Sequence, residues 1–267
     1  PYGDLTAEMV LAKSSNIGTY KVARPLNRDL FHHYIDQFGF GRKTGIELTA
    51  ESAGRNQEVS EWSSSSFSSK TMGYEIAVTP LQMISALGVI ASGGGYQPPT
   101  ILKAVETPGG APLRKADRPA IKRVISQRAA NNVRRAMKKT MLEGGTGTKG
   151  VIPGYDLAGK TGTCRKHVEG VGYVKGRYVV SFMGFFPADN PQIMGLVVID
   201  DPRAKGINLY GGTVAAPIFA EMGKEAVKLL GIEPDNPEEY QQFLTEANRI
   251  NPVGLPNEQG SFETVTD

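Results

Sequence analysis

The chain has 267 residues, a formal net charge of +3 and ordinary apolar and charged fractions, as expected of a protein that folds around a core. It has no apolar run of the roughly eighteen residues that a membrane-spanning helix needs, and its single Cys164 excludes an internal disulfide. His32, His33 and His167 lack metal-ligand spacing, and the basic residues are not interleaved with aromatic ones, so we expect no metal, no cofactor and no nucleic-acid partner.

Acidic residues concentrate at the C-terminal end. Residues 233–267 contain eight acidic residues and one basic residue, whereas residues 1–232 carry a net charge of +10. The sequence therefore predicts one domain over residues 1–232, followed by an acidic tail at 233–267. Because this tail is rich in proline and asparagine, we expect it to be peripheral or disordered.

The first 150 residues have mainly helical patterns. Helices are predicted over residues 4–13, 17–23 and 27–38, followed by a long irregular segment, 39–75, in which serines crowd around Trp62. Thr79-Pro80-Leu81-Gln82 has the pattern of a capping box with proline at the first helical position, and it predicts a helix that ends at Gly93. Another helix is predicted over residues 126–142.

The region from 153 to 230 predicts three strands and a closing helix. The strands are expected at residues 156–166, 177–187 and 192–200, and the helix at 213–230. The first two strands can pair across the glycine-containing segment 168–176, and the last two can pair across a tight turn at 188–191.

Lys160, Thr161, Gly162 and Thr163 form a candidate anion-binding motif on the first of these strands. The ammonium group and the threonine hydroxyls are suited to a carboxylate, and the Thr163 N–H is suited to a developing oxyanion. Gly162 allows a ligand or a neighbouring chain segment to approach the strand closely. The triplet alone is not specific, because a second copy, Lys-Thr-Gly at 43–45, lies in the irregular segment.

Ser14-Ser15-Asn16 interrupts the helical pattern near the start of the chain. Ser14 and Asn16 can both face a cleft, where a hydroxyl relays a proton and an amide donates to a substrate carbonyl. The alternative is a simple helix cap, since serine and asparagine favour such positions.

The order of these two motifs resembles that of penicillin-binding proteins and serine β-lactamases, in which a further motif, Ser-x-x-Lys, precedes both. Longer stretches resemble the class B penicillin-binding proteins, and together they cover residues 4–230. These stretches are LAKSSNIG (11–18), FGFGRKTGIEL (38–48), MGYEIAVTPLQM (72–83), GGTGTKGVIPGYDLAGKTGT (144–163) and YGGTVAAPIF (210–219).

This resemblance implies an α+β fold of the penicillin-binding transpeptidase and serine β-lactamase type, an antiparallel sheet flanked by helices. Residues 4–150 would supply most of an all-helical part, and residues 153–230 would supply strands and the last helix. By the same resemblance Lys160, Thr161 and Thr163 would hold a carboxylate, Ser14 would relay a proton and Asn16 would orient the donor peptide. The serine-rich loop near Trp62 would wall the cleft, and Cys164 is expected to be a packing residue.

No serine of the chain is followed three residues later by lysine, so the nucleophile motif is absent. We therefore expect the chain to be the C-terminal part of a transpeptidase domain, with the nucleophile, the first strands and a membrane-anchoring helix upstream of residue 1.

The implied activity is serine-type D,D-transpeptidation of peptidoglycan, at the extracytoplasmic face of a bacterial membrane. Peptidoglycan stem peptides, β-lactams, a glycosyltransferase and other wall-synthesis proteins are the implied partners. Two alternatives remain at this point: a serine β-lactamase or β-lactam sensor domain, and a non-catalytic homologue that has lost its nucleophile.

Overall fold

The computed structural model describes residues 2–115 and 119–250. The described residues form eight α-helices and nine strands. The helices are α1 (Ala7–Ala12), α2 (Asn16–Ala23), α3 (Arg28–Gln37), α4 (Ser66–Thr71), α5 (Pro80–Ala91), α6 (Gln127–Met141), α7 (Gly211–Leu230) and α8 (Pro237–Ile250).

The strands make one three-stranded sheet and three small pairs. The small antiparallel pairs are β1 (Arg55–Asn56) with β2 (Ile76–Ala77), β3 (Gly95–Tyr96) with β6 (Lys122–Arg123), and β4 (Ala104–Glu106) with β5 (Pro112–Lys115). The main sheet is antiparallel in the order β7 (Ala158–Val168), β8 (Gly172–Phe186) and β9 (Ile193–Asp200). The predicted α+β class is confirmed, although the sequence did not predict the small strands among the helices.

Side chains at the helix starts account for the positions of several helices. Asn27 accepts a hydrogen bond from the Leu30 N–H at 2.7 Å, and Ser126 accepts one from the Ala129 N–H at 3.1 Å. The capping box of α5 is present, because Thr79 and Gln82 each accept a hydrogen bond from the other's backbone N–H. These helices therefore begin where the sequence predicts.

Helices cover both faces of the main sheet, as the alternation of β8 requires. Phe182 and Phe186 point to one face and pack against Phe219 of α7, with ring centroids 4.9 and 6.1 Å away. Phe185 points to the other face, into a cluster with Leu87 of α5 and Met137 of α6. The sheet is thus a central layer, with α7 on one side and α5 and α6 on the other.

The hairpin of β7 and β8 is longer than predicted. The segment 168–176 was expected to be a broad turn, but β7 continues to Val168 and β8 begins at Gly172. At this end Tyr173 packs edge-on against His167 and against Tyr74 of the helical part, with ring centroids 5.2 and 5.3 Å apart. At the tip of the hairpin, Tyr173 thus packs against the helical part of the chain in addition to the pairing of β7 with β8.

The serine-rich segment also differs from its prediction. Residues 66–71 are helical, and Trp62 is buried, its indole N–H donating to the Gln57 carbonyl at 3.0 Å. Its ring packs against His32 at 5.9 Å between centroids. Trp62 is therefore a core residue of the helical part, and the wall role of the serine-rich loop near it stays a prediction.

The tail was expected to be peripheral or disordered, and residues 237–250 are ordered, because they form α8. Tyr240 packs against Tyr155 at 5.6 Å between ring centroids, and a Cβ at Gly154 would lie 2.6 Å from the Tyr240 Cβ. The rest of the predicted tail, 251–267, lies outside the described residues. The boundary at residue 232 and the division between 4–150 and 153–230 stay predictions. Within the described ranges, no helix combines the length and apolarity needed to cross a bilayer.

A buried amide joins the loop at 42–54 to α5. Gln82 is 1% exposed, and its amide nitrogen donates to the carbonyls of Arg42 at 2.7 Å and Ala53 at 2.8 Å. We expect Gln82→Leu to lower the free energy of unfolding by about 2–4 kcal/mol, because these carbonyls and the Thr79 N–H would lose their partner. Urea denaturation followed by Trp62 fluorescence measures this change.

Gln97→Leu is the matched control. Gln97 is exposed and makes one long hydrogen bond, 3.3 Å to the Pro119 carbonyl, so its loss should change stability by less than about 0.5 kcal/mol. Equal destabilisation by the two substitutions would contradict the assignment.

Candidate active site

The break between α1 and α2 separates the roles of its two serines. Ser15 is the N-cap of α2, and its hydroxyl accepts the Gly18 N–H at 3.1 Å. Ser14 has a left-handed backbone with φ of 52°, which is uncommon for a residue with a side chain. Ser15 thus performs the capping that the alternative interpretation assigned to the whole motif, and the Ser14 side chain remains available to the cleft.

Ionic contacts fix α1, and with it Ser14, against α6. Glu8 pairs with Arg135 at 2.5 Å and with Lys139, and the hydrogen bonds from Lys139 and Arg135 lower the pKa of the Glu8 carboxyl. One residue before Ser14, the Lys13 ammonium donates to the Gly144 carbonyl. Because α6 itself packs against β7, these contacts bring the helix break to the edge of the sheet.

Lys160 reaches across this junction to Ser14. Its Nζ donates to the Ser14 Oγ at 2.9 Å, although the two residues are 146 positions apart, and to the Thr161 carbonyl at 2.7 Å. Burial lowers the pKa of Lys160 to about 8. The ammonium is thus charged at neutral pH, but it can lose its proton in mildly alkaline solution.

The threonines of the motif face the α7 side of β7. The Thr163 hydroxyl accepts the Gly211 N–H at 3.1 Å, and the hydroxyls of Thr161 and Thr146 lie 2.8 Å apart. Gly162 is required by packing, since a Cβ there would lie 2.4 Å from the Ser181 hydroxyl on the neighbouring strand. The glycine therefore accommodates the adjacent strand, one of the two roles expected of it.

These side chains line a continuous depression with two parts. The main groove, of about 410 Å³, is lined by Ala7, Val10, Leu11, Ser14, Asn16, Thr19, Val22, Thr71, Met72, Lys160, Thr161, Gly162 and Thr163. The side lobe, of about 540 Å³, is lined by Ser14, Asn16, Thr146, Thr148, Lys149, Thr161, Thr163, Tyr210, Gly211, Gly212 and Thr213.

The structure thus brings together all six residues that the two motifs supplied. Asn16 is exposed at the first position of α2, and its amide makes no hydrogen bond within residues 2–115 and 119–250. A cation, hydroxyl donors and a free amide in one groove are suited to a peptide that ends in a carboxylate.

Sequence reasoning assigned no site role to the wall formed by Thr146, Thr148, Lys149 and residues 210–213. The signal was present in two glycine-containing stretches, Gly144-Gly145 before Thr146 and Gly211-Gly212 at the start of α7. Close packing explains these glycines: a Cβ at Gly212 would lie 2.1 Å from the Thr146 carbonyl oxygen. This packing fixes Thr146 beside the motif.

The second Lys-Thr-Gly copy binds a carboxylate of the chain itself. Glu51 accepts hydrogen bonds from the Thr44 N–H at 2.7 Å, the Thr44 hydroxyl at 2.6 Å and the Gly45 N–H at 3.1 Å. The Thr44 hydroxyl makes the largest contribution to lowering the pKa of Glu51, and the charge of Lys43 adds to it. The triplet at 43–45 therefore has a structural partner and no free anion site.

Cys164 lies on the face of β7 opposite to Thr161 and Thr163. It lines an apolar cavity of about 500 Å³ between the sheet and the helical part. Its thiol donates to the Arg165 carbonyl at 3.2 Å, and burial raises its pKa. The thiol is thus held in its protonated form, which is poorly nucleophilic. Among the residues that the structure describes, no group of three or more histidine, cysteine or acidic side chains is placed to hold a metal.

Comparisons with known proteins indicate one family. The family model for the penicillin binding protein transpeptidase domain matches residues 1–224. The chain is 32% identical over 252 residues to stage V sporulation protein D of Bacillus subtilis, covering 94% of this chain and 38% of that protein. It is 33% identical over 236 residues to the probable peptidoglycan D,D-transpeptidase PenA of Neisseria flavescens, covering 88% of this chain and 56% of that protein.

A solved structure shares the fold. Penicillin-binding protein 3 of Mycobacterium tuberculosis, complexed with ampicillin, aligns with a TM-score of 0.77 at 31% identity, covering 87% of this chain and 52% of that one. The chain thus spans between about two fifths and just over one half of the length of these relatives.

The pKa of Lys160 predicts how carboxylate binding depends on pH. A peptide that ends in a free carboxylate should bind with nearly constant affinity around neutral pH and more weakly as pH rises through about 8, because the ammonium becomes neutral. The affinity should level off roughly tenfold or more below its neutral value, since a charged hydrogen bond contributes about 1.5–3 kcal/mol. NMR titration at several pH values measures this.

Two variants isolate the charge of Lys160. Lys160→Arg should remove the decline near pH 8, because a guanidinium stays protonated, and Lys160→Met should bind weakly at every pH. A flat profile for the unsubstituted protein, or an unchanged decline in Lys160→Met, would contradict the assignment.

Proposed function

This chain belongs to the family of penicillin-binding protein transpeptidase domains, and we propose that it supplies part of the active site of a serine peptidoglycan D,D-transpeptidase. The main support is the 2.9 Å hydrogen bond between Lys160 Nζ and Ser14 Oγ, which joins the two motifs in one groove. Because the chain covers only part of its relatives' length, the activity is proposed for the longer protein that contains these residues.

The proposed reaction proceeds through an ester with a serine of a Ser-x-x-Lys motif, which these 267 residues lack. That serine attacks the carbonyl of the penultimate D-alanine of a stem peptide, and the C–N bond to the terminal D-alanine breaks. An amine of a second stem peptide then attacks the ester, forming the cross-link and releasing the serine. β-Lactams would enter by the same first step, since they also present an amide carbonyl near a carboxylate.

Each motif residue has a proposed role in that chemistry. Lys160, Thr161 and Thr163 hold the terminal carboxylate of the donor peptide, and the Asn16 amide orients its backbone by donating to a carbonyl. Ser14 passes the proton released by the nucleophile to the leaving amine, and Lys160 stabilises the Ser14 oxygen during this transfer through the hydrogen bond described above. The Thr163 N–H forms one side of the oxyanion hole.

The proposed location and partners follow from the substrate. Peptidoglycan is assembled outside the cytoplasmic membrane, so we propose an extracytoplasmic site of action, with a membrane anchor in a part of the protein outside these residues. A glycosyltransferase that polymerises the glycan strands is the proposed partner, because cross-linking acts on its product.

Labelling with fluorescent penicillin tests the proposal. The full-length protein should form a covalent adduct that resists denaturing electrophoresis, and residues 1–267 alone should not, because they lack the Ser-x-x-Lys serine. In the full-length protein, Lys160→Ala should slow labelling by about 100-fold or more.

The outcomes separate this function from its alternatives. Absence of an adduct on the full-length protein would indicate a non-catalytic homologue, and rapid release of hydrolysed penicillin would indicate a β-lactamase. A covalent adduct on residues 1–267 alone would contradict the assignment of the nucleophile. Arg203→Ala, which alters an exposed residue outside the groove, is the matched control and should label at the normal rate.

A further inference from the structure

The hydroxyl of Thr161 has a partner that neither motif contains. Thr161 Oγ1 and Thr146 Oγ1 lie 2.8 Å apart, and both residues are partly buried in the wall of the side lobe. Thr146 belongs to the turn that connects α6 to residues 148–150, and Thr161 belongs to β7. Two separate segments of the chain therefore meet at this pair of hydroxyls.

The turn that carries Thr146 is fixed on both sides. The Gly147 N–H donates to the Thr140 carbonyl at 2.9 Å, and a Cβ at Gly147 would lie 3.1 Å from the Phe182 ring, so the turn is packed against the core of the sheet. On the other side, the Thr146 carbonyl is packed against Gly212 in the first turn of α7. The Thr146 hydroxyl thus has a defined position relative to β7.

The number of protons on a hydroxyl determines what this pair can do. A threonine hydroxyl has one proton to donate and can accept two hydrogen bonds, whereas an ionised carboxylate can only accept. A threonine that binds a carboxylate must therefore keep its own O–H available to donate. Thr163 does so, because its oxygen accepts the Gly211 N–H and its proton remains free for a ligand. Thr161, in contrast, donates to Thr146 in this structure, so its proton is not free.

We propose that Thr146 is a positioning residue for carboxylate recognition, an inference that rests on the proposed function. In this structure Thr146 accepts a hydrogen bond from the Thr161 hydroxyl. When a ligand carboxylate is bound, the Thr146 O–H donates a hydrogen bond to the Thr161 oxygen, and the Thr161 O–H donates one to the carboxylate. Each of the two motif threonines then accepts one hydrogen bond from the protein and donates one to the ligand.

The test compares a hydroxyl deletion with ligands that have or lack the carboxylate. In the full-length protein, Thr146→Val should lower the second-order rate constant for acylation by benzylpenicillin about threefold to tenfold, the effect of one hydrogen bond. The same substitution should leave the slower reaction with the methyl ester of benzylpenicillin nearly unchanged. Thr146→Ser retains a hydroxyl and should react with both compounds at nearly the normal rates.

The control variant is Thr245→Val, which removes a hydroxyl on α8 that donates to the Gln241 carbonyl and lines neither part of the groove. It should not affect either reaction. Equal losses with the acid and the ester would show that Thr146 serves the fold in general, and no loss with the acid would show that Thr161 needs no partner. Either result would overturn the inference.

If the proposed function is wrong, the unsubstituted protein will react with neither benzylpenicillin nor its methyl ester. Binding of a peptide that ends in D-alanyl-D-alanine, and of its C-terminal amide, then decides the inference, because carboxylate recognition requires no nucleophile. Thr146→Val should weaken binding of the peptide acid about threefold to tenfold and leave binding of the amide unchanged. Equal changes for the two peptides would again overturn it.

Discussion

The hydrogen bond from the Lys160 ammonium to the Ser14 hydroxyl connects the helical part of the chain to the sheet at the centre of the groove. Contacts made by other residues hold each of these two side chains in position. Ser14 depends on α1, which is attached to α6 through the ion pairs of Glu8, whereas Lys160 depends on the pairing of β7 with β8. Since α6 packs against β7, the same helix supports both ends of the contact.

Partial burial gives this cation properties that an exposed lysine lacks. Removal from water weakens its preference for the protonated state, and the nearby oxygen atoms of Ser14 and Thr161 accept its hydrogen bonds without neutralising its charge. A ligand carboxylate would supply the missing negative charge. The Glu51 carboxylate at the other Lys-Thr-Gly triplet illustrates that arrangement, since it is bound by a hydroxyl and two N–H groups of the triplet.

The features that the sequence predicted well depend on neighbouring residues. The starts of α3, α5 and α6 are set by side chains that bind the backbone three positions later, so their signals are local. The helix α8 was missed because its tyrosine packs against Tyr155 and Gly154, which no local pattern reveals. Thr146 was missed for the same reason, since its partner is fifteen residues away on a strand. The motif residues were found because the resemblance linked two short segments that are weak signals separately.

The outer edge of β9 has a consequence for handling these 267 residues as an isolated polypeptide. Among the described strands β9 pairs only with β8, so the backbone groups along its other side lack a strand partner. Beside this edge, Ile46, Leu48, Ile84, Met194 and Leu196 line an apolar depression of about 550 Å³. Such an edge is a template for strand addition from a second molecule. An open edge of this kind favours intermolecular strand pairing when the polypeptide is concentrated, and dilution favours the monomer.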